Sequence, residues 1–351
     1  MKNGITVGMD MGDKKNIVCV LSAECEVQER GELANTAKAI RSYFGKLASC
    51  RVALEAGTHS GWVSRILEEL GHEVLVGNPR KLRAIWDSNE KDDDRDAEML
   101  ARIARFDPHL LYPIHHRTQE AHSDLAVIKA RDMLVKARSM LIAHARGAVK
   151  TMGERISKCS AEVFHIRLLE EMPAELRPAL APVMKSIEDL NIRIRHYDKL
   201  LATLCSEKYP ETEGLRGISG VGPITALAFV LTIEEKSRFD KSRTLGPFLG
   251  LTPKRDKSGQ IDKQLRITKA GNAYLRRLLV GCAHCILGPF GPDCDLRRFG
   301  LKLAARGGKN AKRRAIIAVA RKLVVMMHHL WKSGDEYDPF YRHKLKHKKA
   351  A

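Results

Sequence analysis

The sequence contains no long apolar run and no regular cysteine pattern. None of its 351 residues lies in a stretch of the ~18 to 20 consecutive apolar residues that a membrane span needs. Residues 1–12 also lack the apolar run of a secretory signal. The eight cysteines are dilute and irregularly spaced, which argues against a disulfide framework and predicts reduced thiols. We therefore expect a soluble protein of the cytoplasm or bacterial nucleoid with no membrane partner.

Acidic residues are scarce in the last third of the chain. Residues 251–351 hold 24 Lys and Arg against 7 Asp and Glu, a net charge of +17, whereas residues 1–110 hold 16 against 18, or −2. A cationic surface of this size predicts a partner with phosphates, because neutralising them releases counterions. Since no basic amphipathic helix rich in aromatics indicates a membrane surface, we expect nucleic acid, with a solvated basic face as the alternative.

The first hundred residues have the pattern of an α/β domain. Short β-rich runs alternate with segments whose apolar residues recur at helical spacing. The predicted strands are 5–10, 16–21, 52–54 and 73–77, and the predicted helices are 35–47, 59–70 and 94–105. The first two strands are expected to form a hairpin, and the remaining elements follow a β-α-β order.

Four acidic residues occupy informative places in this frame. Asp10 ends the first strand, Glu55 ends a later one, and Asp93 and Asp96 lie three apart at the start of a helix. Residues at i and i+3 share a helix face, and a cluster of carboxylates repels itself unless a hard dication such as Mg²⁺ occupies it. The pattern predicts metal-dependent phosphoryl transfer.

Other interpretations of these acids stay open. The run 92–94 can be a solvated turn and an acidic helix cap. By position, Asp13, Asp92 and Asp94 are rival ligands, whereas Glu90 and Glu98 are expected to be surface charges.

The middle of the chain is predicted to be helical. Residues 119–152 contain no proline, and their apolar positions recur at spacings of three and four; residues 173–204 continue in the same style. Two such helices favour an antiparallel coiled-coil hairpin that could self-associate, with a plain bundle as the alternative.

The last third contains two further candidate sites. A Gly-Val-Gly turn at 220–222 leads into an apolar helix, as in a helix-hairpin-helix whose backbone N–H groups meet phosphates; a purely structural turn is the alternative. The segment 248–277 is predicted to be loop-like and crowded with cations. Ser258, beside Gly259, is unhindered there, and nearby cations would stabilise an attacking alkoxide and a phosphate.

The candidate nucleic-acid contacts are basic residues and turn glycines of this last third. They are Gly220, Gly222, Lys254, Arg255, Lys257, Arg266, Lys269, Arg276, Arg277, Lys309, Lys312, Arg313 and Arg314.

Short motifs along the whole chain resemble those of one family. They lie at 7–10, 54–55, 91–97, 220–223, 250–253, 258–259, 267–272 and 318–323. Their order and spacing resemble the DEDD insertion-sequence transposases, which are bridge-RNA-guided serine recombinases. The resemblance extends from residue 4 to about residue 337.

The resemblance implies a domain organisation and a chemistry. It implies an RNase H-like (RuvC-like) domain over 1–115, a helical coiled-coil region over 116–208 and a mainly helical transposase domain over 209–335. The basic residues at the end of the sequence add a basic tail over 336–351. It also implies that Asp10, Glu55, Asp93 and Asp96 bind Mg²⁺ and that Ser258 forms a transient link to DNA. The implied partners are donor and target DNA, a structured noncoding RNA, and further copies of the chain in a dimer or tetramer.

Two details depart from the family pattern. Asp93 lies within three consecutive aspartates, where relatives commonly have one acid followed by a basic residue, so the third ligand could be displaced by one position. Lys257 precedes Ser258, where many relatives carry two serines; Thr268 and Ser219 are minor rivals as nucleophile.

The resulting hypothesis is a recombinase that excises and inserts its own element. A hydrolytic Holliday-junction resolvase would use the same carboxylates without the serine. A non-catalytic nucleic-acid-binding protein would need neither.

Overall fold

The computed structural model describes residues 4–82 and 92–341. Glu90, Lys91 and the part of the basic tail after residue 341 lie outside the described residues. The chain divides into two compact units, residues 1–119 and 120–351. Within the part of the chain that is described, no helix combines the length and apolar character needed to span a bilayer.

The first unit contains a five-stranded sheet with helices on its faces. Its elements are β1 Thr6–Met11, β2 Lys15–Leu21, β3 Val27–Ala34, α1 Ala37–Phe44, β4 Arg51–Glu55, α2 Ser60–Glu69, β5 Glu73–Gly77, α3 Pro79–Leu82 and α4 Asp93–Phe106. The strand order is β3-β2-β1-β4-β5. The first three strands form an antiparallel meander, while β4 runs parallel to β1 and β5 parallel to β4. The predicted strands and helices are therefore confirmed, and the structure adds the strand β3 and the short helix α3.

The additional strand, β3, was not predicted because it contains little apolar sequence. Its eight residues, Val-Gln-Glu-Arg-Gly-Glu-Leu-Ala, are mostly exposed. Its place at the edge of the sheet is set by backbone pairing with β2 and not by burial. Apolar periodicity detects only strands that bury a face.

Alternation along the strands separates the two faces of the sheet. On one face, Val7 and Met9 pack with Phe44 of α1 and Leu67 of α2. On the other face, Ala53 of β4 packs with residues of α4, as do Cys19 and Leu21 of β2. Because side chains alternate along a strand, Gly8 and Asp10 of β1 lie on the α4 face together with Ala53 and Glu55 of β4.

The second unit is mainly helical. Its elements are α5 Gln119–Thr151, α6 Phe164–Glu171, α7 Arg177–Thr203, α8 Thr212–Arg216, α9 Pro223–Ile233, α10 Leu245–Phe248, β6 Pro253–Ser258, β7 Ile261–Ile267, α11 Ala273–Leu287, α12 Asp295–Ala304 and α13 Ala311–Ser333. All of α9 from Thr225 onward is buried. It packs with α11 and α13 in a core that also includes Leu125 of α5 and Leu201 of α7.

The two long helices α5 and α7 pair in antiparallel fashion. Arg131 of α5 donates to Asp198 of α7 at 2.7 Å, and Arg138, further along α5, donates to Asn191 at 2.7 Å. Residue numbers therefore rise on α5 as they fall on α7. Arg138 and Asn191 are both buried. Such a buried polar pair favours one register, because any shift would leave both groups without a partner.

The segment 253–267 is a β-hairpin, so the prediction of a loop there was wrong. Strands β6 and β7 pair around a two-residue turn, Gly259 and Gln260, and almost every residue is exposed. Nothing in the apolar pattern marks it, since neither strand faces a core. At its base, two glycines allow the backbone segments before and after the hairpin to pack closely. A Cβ on Gly250 would lie 2.2 Å from the Ala270 nitrogen, and one on Gly271 would lie 1.9 Å from the Phe248 oxygen.

Candidate metal centre and nucleic-acid interface

Strand register brings Asp10 and Glu55 to neighbouring positions. Met9 pairs with Leu54 in the parallel β1–β4 ladder, so the residues that follow, Asp10 and Glu55, lie side by side at the carboxyl ends of these strands. Both share the face that α4 covers. Two predicted ligands thus reach one edge of the sheet through backbone pairing alone.

The first turn of α4 comes to the same edge because β1 carries a glycine. A Cβ on Gly8 would lie 1.9 Å from the Ala97 oxygen and 2.5 Å from the Ala101 nitrogen. Only a residue without a side chain allows the helix to approach the strand this closely. Since Asp93 and Asp96 lie within one turn before Ala97, this approach carries their carboxylates toward Asp10.

Three carboxylates converge at this point. One oxygen from each of Asp10, Asp93 and Asp96 lies within 4.8 Å of the other two. Asp10 and Asp96 are half-buried and Asp93 is exposed. Among the described residues, Glu55 is not part of this group, although its strand position adjoins that of Asp10.

The neighbouring acids have other roles. The Asp92 side chain caps α4 by accepting from the Asp94 nitrogen at 3.1 Å. Glu98 accepts from Arg102 at 2.7 Å and also from Arg30. These two hydrogen bonds hold the pKa of the Glu98 carboxyl below its usual range. Glu98 thus forms ion pairs with Arg30 and Arg102 at the surface, and Asp92 caps α4.

A shallow pocket lies at the same ends of β1 and β4. It is lined by 11–13 and 57–59. The Trp62 indole donates to His59 Nδ1 at 3.2 Å, so that nitrogen is an acceptor and Nε2 carries the proton. Nε2 lies 3.4 Å from Asp13 Oδ1. Sequence reasoning did not single out His59; the only available signal was its position four residues after Glu55.

Ser258 lies at the tip of the exposed hairpin. It is the last residue of β6, pairs with Ile261, and is followed by Gly259 at a φ of 53°. The positive φ explains the glycine, since other residues adopt that conformation at a cost. Ser258 is itself exposed, so its hydroxyl is accessible to a macromolecular substrate.

Several predicted cationic contacts are already occupied within the protein. Arg255 donates through two nitrogens to Asp262, at 2.7 and 2.5 Å. Arg277 donates to both oxygens of Asp132 at 2.8 Å. Burial alone would raise the pKa of the Asp132 carboxyl, but hydrogen bonds from Arg277 and Lys136 outweigh it and lower that pKa.

Arg276 is engaged with the backbone. Its Nη1 donates to the oxygens of Leu249 and Ala270, at 3.0 and 2.6 Å, and so ties α11 to the base of the hairpin. The other cationic candidates have exposed side chains: Lys254, Lys257, Arg266, Lys269, Lys309, Lys312, Arg313 and Arg314.

The first turn of α13 concentrates positive charge where a helix does not favour it. Lys312, Arg313 and Arg314 follow the helix start at Ala311, and that turn contains no acid. The N-terminal end of a helix carries a partial positive charge, so cations there are unfavourable unless an anion is bound. The arrangement suits a phosphate backbone.

The glycine turn before α9 is exposed and tightly packed on one side. Gly220 has a φ of 85°, and a Cβ there would lie 3.1 Å from Ile286 Cγ1. Gly222 is the N-cap residue of α9. The turn therefore exposes backbone groups at the start of α9. The positive φ and the close packing of Gly220 also explain, without any phosphate contact, why this position is a glycine.

Comparisons with known proteins agree along most of the chain. The DEDD transposase model of the IS110 type matches residues 7–153, and the model described as "Transposase IS116/IS110/IS902 family" matches residues 212–293. The transposase for insertion sequence element IS1111A of Coxiella burnetii is 30% identical over 320 residues, covering 85% of this chain and 83% of the relative.

Two further relatives are similar over most of their length. A probable family 20 transposase of Pseudomonas aeruginosa is 28% identical, covering 71% of this chain and 74% of its own. The pilin gene-inverting protein of Moraxella bovis is 25% identical, covering 76% of this chain and 75% of its own.

Proposed function

The chain belongs to the IS110 family of DEDD transposases, and from this premise we propose that it excises and inserts an insertion-sequence element. The family implies an enzyme that cuts and recombines DNA, so DNA is its partner. The proposed reaction is divalent-metal-dependent strand cleavage and exchange in which Ser258 forms a transient covalent link. The observation that carries the proposal is the convergence of Asp10, Asp93 and Asp96 at the sheet edge.

The topology of the first unit supports an RNase H-like fold. An antiparallel meander continues into two parallel strands, and the carboxylates gather at the carboxyl end of the first strand. In open sheets with helices on their faces, ligands bind outside the carboxyl ends of strands. A DNA strand placed there would bring its phosphate to the acids.

The donor set fits a hard divalent cation. Three carboxylates within 4.8 Å of one another supply only oxygen ligands, and Mg²⁺ binds through a few carboxylates together with substrate phosphate. Asp10, Asp93 and Asp96 would hold the ion, with Glu55 adjoining them from β4. When bound, the ion would offset the negative charge of the phosphate and orient it.

Ser258 supplies the proposed nucleophile. Its hydroxyl oxygen attacks the phosphorus and loses its proton to solvent, while the bond from phosphorus to one deoxyribose oxygen breaks and that oxygen takes a proton from solvent to leave as a hydroxyl. A hydroxyl from another DNA strand then attacks the same phosphorus and loses its proton to solvent. The bond between phosphorus and Ser258 Oγ breaks, and Oγ takes up a proton, which restores the serine. The bond between phosphorus and Ser258 retains the free energy of the phosphodiester bond that was broken. Exchange of strands therefore needs no external energy source.

A structured RNA is proposed to select the DNA sites. Residues 1–110 carry a net charge of −2, and the exposed cations of the second unit are suited to backbones more than to base edges. Sequence choice can then be delegated to base pairing, as in other guided systems. Recombination at full rate after nuclease removal of all RNA would contradict this part of the proposal.

Carboxamide substitutions test the metal centre. Asp93→Asn should lower Mg²⁺-dependent strand cleavage by at least about 10²-fold, since it removes one ligand and a charge. Asp94→Asn, the adjacent exposed acid, is the matched control and should retain cleavage. The readout is single-turnover cleavage across a Mg²⁺ titration, alongside DNA affinity, which should hardly change. Full activity in Asp93→Asn with loss in Asp94→Asn would move the ligand by one position.

A further inference from the structure

The register of the β6–β7 hairpin divides its residues between two faces. Ser258 pairs with Ile261 and Asp256 with Lys263, whereas Lys257 pairs with Asp262 and Arg255 with Gln264. Directly paired residues share a face, and successive pairs alternate between faces. The serine face therefore carries Ser258, Ile261, Asp256 and Lys263, and the opposite face carries the other four.

The cations adjacent to Ser258 in sequence do not share its face. Lys257 points to the opposite face, where it lies across from Asp262. Arg255, also on the opposite face, is bonded through two nitrogens to the same Asp262. The positive charge that sequence proximity assigned to Ser258 is thus directed away from it and partly neutralised.

Lys263 is the cation that the hairpin places on the serine face. It is the diagonal neighbour of Ser258 across the ladder, at a backbone separation of roughly 7–8 Å that a long side chain can span. Its side chain is exposed, and within the described residues no ion pair engages it. Asp256 lies directly across from Lys263, and among the described residues no ion pair joins the two side chains.

The serine face also carries an apolar side chain. Ile261, directly across from Ser258, is 52% exposed. Burying this side chain against a bound strand would exclude water around the phosphate. A charge interaction is stronger in such surroundings than in bulk water.

We propose that Lys263 contacts a non-bridging oxygen of the phosphate that Ser258 attacks. Resting on the proposed function, this inference adds a catalytic residue to it. Lysine is suited to the role as a flexible point charge that binds phosphate. The contact strengthens as charge accumulates on the oxygen during attack, so it accelerates the step and does not merely add affinity.

The test compares phosphodiester DNA with DNA carrying an uncharged methylphosphonate at the scissile position. On phosphodiester DNA at saturating concentration, Lys263→Met should form the protein–DNA adduct about 10²-fold more slowly than the parent. Lys302→Met, an exposed lysine of α12, is the charge-matched control and should react at the parent rate. Lys263→Arg should recover part of the rate.

On methylphosphonate DNA the difference between Lys263→Met and the parent should nearly vanish, because no charged oxygen remains to be neutralised. Parent-like rates in Lys263→Met, or a defect of equal size on both substrates, would overturn the inference. Absence of an adduct in the parent, or its persistence in Ser258→Ala, would instead overturn the proposed function. Thermal unfolding of each variant checks that the exposed substitutions leave the fold intact.

Discussion

Gly8 decides whether three carboxylates can converge. It has no catalytic group, yet the distance between β1 and α4 depends on its missing side chain. The pair of Asp93 and Asp96 can be recognised in the sequence by its i, i+3 spacing. The close approach of α4 to β1 cannot be recognised there, because it depends on a contact between Gly8 and Ala97, which are about ninety positions apart.

Substitution of Gly8 tests this positioning role. Gly8→Ala should force α4 away from β1, lower the free energy of unfolding by about 1–3 kcal/mol, and reduce Mg²⁺-dependent cleavage because the carboxylates separate. Gly31→Ala in β3, where a Cβ would lie 3.4 Å from its nearest neighbour, is the matched control. Chemical denaturation and cleavage rates are the measurements. Equal, small effects in both variants would show that the close approach does not position the site.

Among the elements, apolar periodicity identified those that bury a face. It predicted β1, β2, β4, β5 and the long helices α5 and α7, all of which contribute side chains to a core. It missed β3 and the β6–β7 hairpin, whose residues are mostly exposed and whose pairing is set by the backbone. For the same reason the sequence makes Ser258 a candidate nucleophile but does not predict the hairpin face on which it lies.

The proposed phosphate contacts of the first turn of α13 can be tested through the salt dependence of DNA binding. If Lys312, Arg313 and Arg314 contact phosphates, replacing all three with Gln should reduce the slope of log affinity against log salt by about two to three. Arg298→Gln is the control, since Arg298 is already bonded to Asp293 and should change the slope by much less than one. Binding titrations at several salt concentrations measure both. An unchanged slope in the triple variant would contradict a phosphate contact at this turn.

Across the whole molecule, the two groups of proposed reactive side chains lie in different units. The cluster of Asp10, Asp93 and Asp96 belongs to residues 1–119, and Ser258 belongs to residues 120–351, which carry most of the positive charge. The proposed recombination requires both. Sequence motifs predict these groups separately, since each is marked by its own local pattern of residues.

Formation of a covalent protein–DNA adduct, detected on denaturing gels, tests the proposed chemistry most directly. Protein is incubated with its RNA, labelled donor and target DNA, and Mg²⁺. We expect an adduct in the parent and in Thr268→Val, and none in Ser258→Ala or after chelation of the metal. An adduct of parent yield in Ser258→Ala, or one that forms equally well without divalent metal, would show that the proposed chemistry is wrong.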